Sequence, residues 1–463
     1  MPRSEAYRRW PTPEAFYTER DDRTNRVAEA SRAYWMRPVE VVLPRKFCDS
    51  ITGQRIALVV ANLAAKWSRR VHVRVPPSVA LARELTTSNG TSFAERAVTE
   101  MNRSDPFGTF TASHLVLEGD DVLRCAVTPR PSDLVVGESI AVTAWATGWR
   151  AILVDPASSI KEPYRAATRA AAGLAAALAV GQLFKRAIGQ PESQWLTPMV
   201  WNMWSHQLSP DVAPGEPKES GDYTLDLGRT LLAGVGAIGS GFAYLASLGP
   251  MCGTLGLLDG DGVDVTNLNR SPIFTIDQAL EETAKVDAVA CFLEPAGITL
   301  HRYRGWWDDL LSVVQTEPWD VWISLTNERG VWSELPFHQP PLLLHATTTS
   351  GWGFGVGRHG IGDDCTRCRM PREHHQFRGP CAVGAIGASG EGSESPRAAL
   401  PFLSVAAAAI LLAEFERMRC GGDWANAPNQ LSADLLIGLA PPIAVLRSRT
   451  VGCQGCAFLE DVQ

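Results

Sequence analysis

Three glycines with the spacing GxGxxG constrain this chain more than any other feature. Residues 231–241 read LLAGVGAIGSG, so Gly234, Gly236 and Gly239 follow an apolar strand and open a helix. Glycine is needed there because the turn is tight and the backbone approaches a phosphate closely, while the helix N-terminus offers free N–H groups. The motif predicts a nucleotide site on a parallel α/β sheet, but the glycines alone do not identify the nucleotide.

Short apolar strands alternate with helices on both sides of this loop. The second half predicts strands at 229–233, 253–259, 319–325 and 341–348, with helices at 239–248, 285–292 and 400–417. The first half predicts strands at 56–60, 71–75, 140–143 and 151–154, with helices at 61–69 and 164–188. This alternation is typical of a doubly wound, mostly parallel α/β sheet of the Rossmann-like kind.

The length of 463 residues exceeds what one hydrophobic core usually supports, so we expect two domains. Residues 1–205 form an N-terminal α/β domain, and 206–225 read as a linker rich in Pro, Ser, Gly and acids. Residues 226–463 form the nucleotide-binding domain. Both halves finish on an Ala-rich helix. The N-terminal half is therefore either a degenerate, nucleotide-free copy of the second or an unrelated domain, and the sequence leaves both readings open.

Charge and hydropathy exclude several classes of protein. A net charge of −7 disfavours non-specific nucleic-acid binding, which needs a basic face. The most apolar stretch, 170–184, is 15 residues long, whereas a membrane-spanning helix needs about 20. The N-terminus is charged and broken by prolines rather than apolar like a secretory signal. We expect a cytoplasmic protein that binds neither membrane nor nucleic acid.

Charged residues after the glycine loop separate nucleotidyl transfer from hydride transfer. Asp259 lies 20 residues beyond Gly239 at the end of the next strand, where an acid commonly holds a ribose hydroxyl. Asp261, Asn267 and Arg270 follow in one run, and Lys285 comes later. A second acid can hold Mg²⁺, while Arg and Lys neutralise the charge of a triphosphate. Hydride transfer needs no such cluster.

The ordered set DxD, NLNR, a phenylalanine and a later lysine resembles the adenylation signature of ubiquitin-activating enzymes and of ThiF/MoeB. The resemblance runs from about Arg229 to the C-terminus. It implies that ATP adenylates a C-terminal carboxylate, with Arg270 and Lys285 as catalytic residues. The implied ligand roles are ribose for Asp259, Mg²⁺ for Asp261 and the phosphates for Asn267, Arg270 and Lys285.

Two departures from that family pattern stand out. Two additional residues separate Asn267 from Lys285, and Thr326 and Asn327 occupy the place of the usual catalytic Asp. A neutral oxygen is a poorer magnesium ligand than a carboxylate. Either Asp261 and the phosphates hold the ion, or another acid replaces the missing one, or activity is reduced.

Two CxxC pairs predict a structural zinc site that ties the C-terminal tail to the core. Cys365, Cys368, Cys453 and Cys456 have the spacing of a closed four-thiolate site, which resembles that of MoeB-type relatives. Redox chemistry is the alternative for either pair. His374 and His375, between the pairs, are alternative ligands or plain loop residues. His359 is expected to be structural.

A Gly/Ser-rich segment at 374–396 carries Cys381 as its one cysteine and predicts a mobile loop. Its placement resembles that of the crossover-loop cysteine of ThiF and of non-standard ubiquitin-activating enzymes, which implies a thioester nucleophile. Arg378 or the nearby histidines would favour the thiolate. The alternative is an incidental loop cysteine. The other cysteines (Cys48, Cys125, Cys252, Cys291, Cys420) and most tryptophans, Trp306 included, are expected to pack in the core.

Four functions fit these features. The leading hypothesis is activation of a small ubiquitin-like protein with a C-terminal glycine for transfer to a conjugating enzyme, as the resemblance to bacterial ubiquitin-like conjugation systems, including antiviral ones, implies. The second is adenylation of a sulfur-carrier protein for thiamine or molybdopterin synthesis. A peptide-tailoring adenylase and a non-catalytic scaffold are the others. Either a homodimer or an internal pseudo-dimer is compatible with the family.

Overall fold

Each half of the chain forms its own eight-stranded sheet in the computed structural model. The residues described are 9–25, 34–85, 92–129, 139–154, 165–196, 198–217, 223–308, 311, 317–326, 331–338, 342–348, 352–360, 362–369, 400–422, 427–436 and 442–461. The first sheet contains β1 Val39–Val42, β2 Arg70–Arg74, β3 Thr109–Ser113, β4 Leu123–Val127, β5 Val142–Thr147, β6 Arg150–Val154, β7 Met199–Asn202 and β8 Gln207–Leu208. The second contains β9 Leu225–Ala233, β10 Met251–Asp259, β11 Thr299–Arg304, β12 Val321–Ser324, β13 Leu343–Thr348, β14 Gly353–His359, β15 Gln430–Asp434 and β16 Ile443–Val445.

The two sheets share one topology. Their strand orders are β3-β2-β1-β4-β5-β6-β7-β8 and β11-β10-β9-β12-β13-β14-β15-β16. In each, the first five strands pair in parallel and the last three add antiparallel. The predicted fold class, a mostly parallel α/β sheet with an additional N-terminal α/β domain, is confirmed. The equal strand order favours a degenerate copy over an unrelated domain.

Helices cover both sheets and fill the space between the halves. Those of the first half are α1 Pro13–Arg20, α2 Asp22–Asn25, α3 Ile51–Ala64, α4 Phe93–Asn102 and α5 Arg169–Ala187. Those of the second half are α6 Ala237–Ala246, α7 Ile276–Leu280, α8 Lys285–Leu293, α9 Val331–Glu334, α10 Thr366–Arg369, α11 Pro401–Arg419 and α12 Gln454–Asp461. Among the described residues, none of the helices combines the length and apolarity that a bilayer crossing requires.

The two Ala-rich helices, α5 and α11, pack against each other at the centre of the molecule. A Cβ on Gly181 of α5 would lie 3.1 Å from the ring of Phe402 on α11, and one on Gly173 would lie 2.7 Å from Leu245 of α6. Small residues let the helix axes approach closely, so these apolar faces exclude water. One contiguous cluster of buried apolar side chains therefore runs through both halves.

The strand predicted at 56–60 and the helix predicted at 61–69 are wrong. Residues 51–64 form the single helix α3, which Ser50 caps by accepting from the backbone N–H of Gly53 at 3.4 Å. Every residue from Thr52 to Ala64 is buried, so the run IALVV shows no polar stripe of helical period. A short apolar run of this kind cannot be assigned by periodicity alone. The first strand lies earlier, at β1.

The segment 206–225, predicted as a linker, contributes to both sheets. β8 pairs with β7 and extends the first sheet to Leu208, while β9 already begins at Leu225. Glu216 within this segment accepts hydrogen bonds from the Asn202 amide at 3.1 Å and from the Ala213 N–H at 3.0 Å. Part of the predicted linker is therefore packed in the two sheets.

Candidate active site

The glycine loop joins β9 to α6 at the edge where the parallel strands end. Gly234 has φ +88°, and a Cβ there would lie 2.8 Å from the carbonyl carbon of Leu325. A Cβ on Gly239 would lie 2.2 Å from the Gly234 carbonyl oxygen. Gly236 caps the N-terminus of α6, with open space where its side chain would stand. Two of the three glycines are thus demanded by sterics, and the third leaves room for a ligand.

Asp259, at the end of β10, holds two loops together. Its carboxylate accepts hydrogen bonds from the backbone N–H groups of Val235 and Asp261, both at 2.9 Å. Burial raises the pKa of this carboxyl, and the Lys285 ammonium opposes that shift. The carboxylate oxygens keep lone pairs that can accept from ligand hydroxyls. Asp259 therefore positions the glycine loop and can also hold a ribose.

Lys285 reaches the same place despite the two additional residues before it. Its ammonium lies 2.5 Å from a carboxylate oxygen of Asp261, and its backbone N–H donates to the Asp261 carbonyl at 3.0 Å. Lys285 begins α8, and its side chain is 10% exposed, whereas that of Asp261 is 52% exposed. The longer connection therefore does not displace Lys285 from the site.

A short turn presents the NLNR residues. Asp264 caps the 3₁₀ turn Val265–Asn267, and the Asn267 side-chain oxygen accepts from the Asp264 N–H at 3.0 Å. The Arg270 guanidinium donates to the Thr266 carbonyl. Asn269 donates to the Thr24 hydroxyl of α2 at 3.0 Å, which ties the turn to the first half of the chain.

One cavity of about 330 Å³ is lined by the predicted residues Gly234, Gly236, Gly239, Asp259, Asp261, Asn267, Arg270 and Lys285. Arg23 and Trp306 are among the lining residues of this cavity that sequence reasoning missed. Arg23, on α2 of the first half, lines it from across the boundary between the halves. Trp306, which follows β11, is 47% exposed and packs over Gly260, so the expectation that it belongs to the core is wrong. No motif in residues 1–205 pointed to Arg23, because its role depends on how the halves pack.

Hydroxyl groups form the wall where the family usually has an aspartate. Thr326, Thr348 and Ser404 line the cavity, and the Thr326 hydroxyl lies 3.4 Å from that of Ser324. Asn327 lies outside the described residues. Among the described residues, the carboxylates that line the cavity are those of Asp259, Asp261 and Asp264. Of these, Asp261 fits a magnesium ligand, because its side chain is half exposed and Asp259 already accepts from two backbone N–H groups.

The four cysteines of the CxxC pairs come together although 84 residues separate the pairs. The sulfur distances are 3.7 Å for Cys365–Cys368, 3.6 Å for Cys365–Cys453 and 3.4 Å for Cys368–Cys456. All four sulfurs lie within 4.8 Å of one another. Zn–S bonds of about 2.3 Å in a tetrahedron place sulfurs about 3.8 Å apart, so the cluster fits zinc. His374 and His375 lie outside the described residues.

His359 is structural, as expected. Its ring Nδ1 lies 2.7 Å from the Asp364 carbonyl oxygen and its Nε2 lies 3.0 Å from His345 Nδ1. Both histidines are buried. Both ring nitrogens of His359 are occupied by these bonds, and neither histidine is among the described residues that line the cavity, so the pair stabilises β13 and β14.

Cys381 and the predicted crossover loop 374–396 lie outside the described residues, as does Arg378. Among the remaining cysteines, Cys48 and Cys125 are buried as expected, whereas Cys252, Cys291 and Cys420 are exposed. The prediction that these three cysteines are buried was therefore wrong. It was based on apolar residues adjacent in sequence, whose side chains need not lie on the same face as the thiol.

Comparisons with known proteins agree with the geometry. The ThiF family profile matches residues 208–320, and the profile of the BilD N-terminal domain matches residues 38–195. A maize (Zea mays) protein named adenylyltransferase and sulfurtransferase MOCS3-1 is 26% identical over 187 residues, which cover 39% of this chain and 38% of that protein. The chain thus spans about two fifths of that relative's length.

Solved structures of E. coli MccB are also similar. One titled MccB + ATP is 12% identical and covers 68% of this chain and 98% of that chain, with a TM-score of 0.38. Another, titled MccB + MccA-N7isoASN, is 14% identical and covers 50% and 67%, with a TM-score of 0.38. The ThiF profile match covers the part of the chain that contains the glycine loop: residues 208–320 are similar to the ThiF family.

Proposed function

We propose that this protein uses ATP to adenylate the C-terminal carboxylate of a small ubiquitin-like protein, and that Cys381 then accepts the acyl group as a thioester. A conjugating enzyme would receive it next. The observation that carries the first step is the convergence on one 330 Å³ cavity of the glycine loop, Asp259, Lys285, Arg270 and Arg23. Three cations and a bare helix N-terminus suit a triphosphate.

The nucleotide's place follows from these groups. Ribose hydroxyls would donate to Asp259, and the phosphates would lie on the glycine loop at the N-terminus of α6. Trp306, exposed beside Gly260, offers a face on which adenine can stack. Asp261 would hold Mg²⁺, which supplies charge neutralisation at the phosphates. Mg²⁺ would then compete with Lys285 for the Asp261 carboxylate, and the phosphates would compete with Asp261 for the Lys285 ammonium.

Adenylation needs positioning more than covalent chemistry from the protein. A carboxylate oxygen of the partner attacks the α-phosphorus, the bond from that phosphorus to the bridging oxygen breaks, and pyrophosphate leaves with the electron pair. Arg270, Lys285 and Arg23 stabilise the charge on the phosphate oxygens as it shifts. Thr326 would contribute a hydrogen bond only, so the three cations carry more of the stabilisation than a site with an aspartate would require.

The first half would serve as the second member of an internal pair. It repeats the strand order of the catalytic half, shares its core and places Arg23 at the cavity. Within the loop that follows β1, residues 43–50, there is no glycine. We infer that the first half binds no nucleotide and that one chain contains one complete site, without the need for a homodimer.

The thioester step would pass the acyl group from adenylate to sulfur. The Cys381 thiolate attacks the acyl carbon, the acyl–phosphate bond breaks, and AMP leaves. The four-cysteine cluster would hold zinc structurally, since four thiolates leave no open position for a substrate. It would tether the chain that flanks the loop and the tail at α12.

The test is incubation with ATP, Mg²⁺ and a candidate carrier protein, followed by non-reducing gel electrophoresis. We expect a reductant-sensitive adduct that disappears in Cys381→Ala and persists in Cys420→Ala, a matched exposed cysteine on the far end of α11. An adduct that persists in Cys381→Ala refutes the nucleophile. ATP–pyrophosphate exchange, measured alongside, should continue in both variants because adenylation precedes the thiol step.

Sulfur-carrier adenylation is the second candidate, favoured by the maize relative's name. In this case the adenylate would be converted to a thiocarboxylate on the carrier protein. The wild type would then form no reductant-sensitive adduct, and Cys381→Ala would retain both ATP–pyrophosphate exchange and adenylation of the carrier. A lack of ATP–pyrophosphate exchange with every carrier protein tried would instead favour the fourth hypothesis, a non-catalytic scaffold.

A further inference from the structure

A second cavity, of about 670 Å³, lies between the two halves and shares no lining residue with the nucleotide cavity. The first half contributes Arg83 from the 3₁₀ turn Arg83–Leu85, Arg96 from the start of α4 and Arg103, which caps the end of α4. The second half contributes apolar side chains, among them Met251, Ile273 and Phe292. The cleft therefore has a cationic side and an apolar side.

The arginines are available to a ligand. Arg96 uses its Nε in a 2.6 Å bond to Glu100, and within the described part of the chain its two terminal nitrogens have no partner. Arg83 and Arg103 form no ion pair with any described residue. Among the described residues that line the cleft, Glu84 is the acid, and it is exposed. Glu100, paired with Arg96, offsets part of the positive charge.

The position of Arg103 is fixed even though its guanidinium is not. Its backbone carbonyl accepts from the Ile276 N–H at 2.8 Å, which locks the end of α4 against the start of α7. The Arg96 partner, Glu100, also accepts from the Tyr244 hydroxyl of α6 at 2.6 Å. Helix α4, which carries Arg96 and ends beside Arg103, is thus held in place by contacts to the second half.

We propose that this cleft binds a small organic anion that carries a phosphate, sulfonate or carboxylate group on an apolar or aromatic body. Its volume lies in the range of pockets for single small ligands. Arginine forks bind such anionic groups with charge-assisted bonds, and the opposite wall would cover the apolar body. The bond from Glu100 to Tyr244 joins this site to the helix that begins at the phosphate loop.

The probe for the test is 8-anilinonaphthalene-1-sulfonate, which has this chemistry and fluoresces when its rings leave water. The full chain is first saturated with Mg²⁺ and α,β-methylene-ATP so that the nucleotide cavity is filled. We expect one saturable site whose affinity falls at least tenfold in the double variant Arg83→Gln/Arg103→Gln. Arg45→Gln, an exposed arginine of the same half outside the cleft, should bind as the wild type does.

Thermal unfolding of all three proteins checks that the substitutions leave the fold intact. Equal affinity in the double variant and in the wild type would overturn the proposal. So would saturable probe binding that is seen without the ATP analogue and is absent from the protein saturated with it, because the probe would then occupy the nucleotide cavity. Binding of hexaglutamate is measured as well. If this peptide binds in a way that depends on Arg83 and Arg103 while the sulfonate probe does not bind, the cleft is a site for an acidic protein segment and the proposal is wrong.

Discussion

The loops after β1 and β9 occupy equivalent places in two sheets of identical strand order, yet they differ in the features that we propose bind a nucleotide. After β9, a glycine loop opens onto a cavity and Asp259 ends the neighbouring strand. After β1, Phe47 is buried against Trp145 with ring centroids 5.1 Å apart, and Val75 with two prolines follows the neighbouring strand.

One steric detail survives in both halves. A Cβ on Gly53, in the first turn of α3, would lie 2.7 Å from the Phe47 carbonyl, much as one on Gly239 would lie 2.2 Å from the Gly234 carbonyl. The close approach of loop to helix is thus a property of the fold. The free N–H groups, the open space and the acid belong to the second half alone, which shows that topology does not by itself make the site.

The largest expected effect comes from Gly239→Ala. The added methyl group would collide with the Gly234 carbonyl, so the loop must move, and we expect at least a hundredfold loss of ATP–pyrophosphate exchange. Gly53→Ala is the matched change in the first half. It should lower the free energy of unfolding by about 1–3 kcal/mol while the KM for ATP stays within twofold. A loss of exchange in Gly53→Ala would mean that both loops serve the nucleotide.

Arg23→Ala tests whether the first half completes the site. We expect kcat to fall about a hundredfold, because a cation close to the phosphates would be lost, with thermal unfolding unchanged. Arg45→Ala, on the loop after β1, should leave kcat as it is. If Arg23→Ala had the kcat of the wild type, Arg23 would not contribute to the reaction, and the role of the first half would be structural.

Trp306→Ala should raise the KM for ATP about tenfold through the loss of a stacking surface, with a smaller change in kcat. Trp195→Ala, a half-buried tryptophan of the first half, is the control and should leave the KM unchanged. Steady-state exchange kinetics at several ATP concentrations distinguish the two. An equal KM in both variants would place adenine elsewhere in the cavity.

The smallest effect concerns acid stability. Burial, with a further contribution from Arg369, lowers the pKa of His345 to about 3, and burial lowers that of His359 well below its ordinary value. Because the unfolded chain binds protons near pH 6.5 and the folded chain does not, stability is full above pH 6.5 and declines below it. At pH 5 we expect a loss of about 2 kcal/mol per histidine.

The first half provides a comparison for this prediction, because its strands β5 and β6 contain no histidine. In the second half, His345 of β13 lies opposite Gly357, and His359 of β14 lies opposite Leu343. His345→Gln, whose amide can still donate to His359, should reduce the decline of the unfolding midpoint between pH 7 and 5. His301→Gln, a half-buried histidine of β11, should not. Measurements with and without a zinc chelator separate this effect from metal loss, and an equal decline in both variants would exclude the pair.

The local sequence was sufficient to predict the positions of features that depend on residues close together in the chain. The glycine loop, Asp259 and the NLNR turn could be placed because each depends on contacts within one strand–loop–helix unit. Prediction from local sequence failed at α3, because a completely buried helix lacks the polar stripe that distinguishes a helix from a strand. It also misassigned Trp306, since exposure depends on which neighbouring loop covers the ring.

By itself the sequence determined the fold class, the position of the glycine loop and the four cysteines that can meet at one metal. Only the tertiary structure decided that Arg23 belongs to the cavity, that Lys285 reaches Asp261 across a longer connection, and that two halves of one topology share one core. The reason is physical. Side chains separated by hundreds of residues become neighbours only when apolar faces such as those of α5 and α11 exclude water together, and no local pattern encodes that meeting.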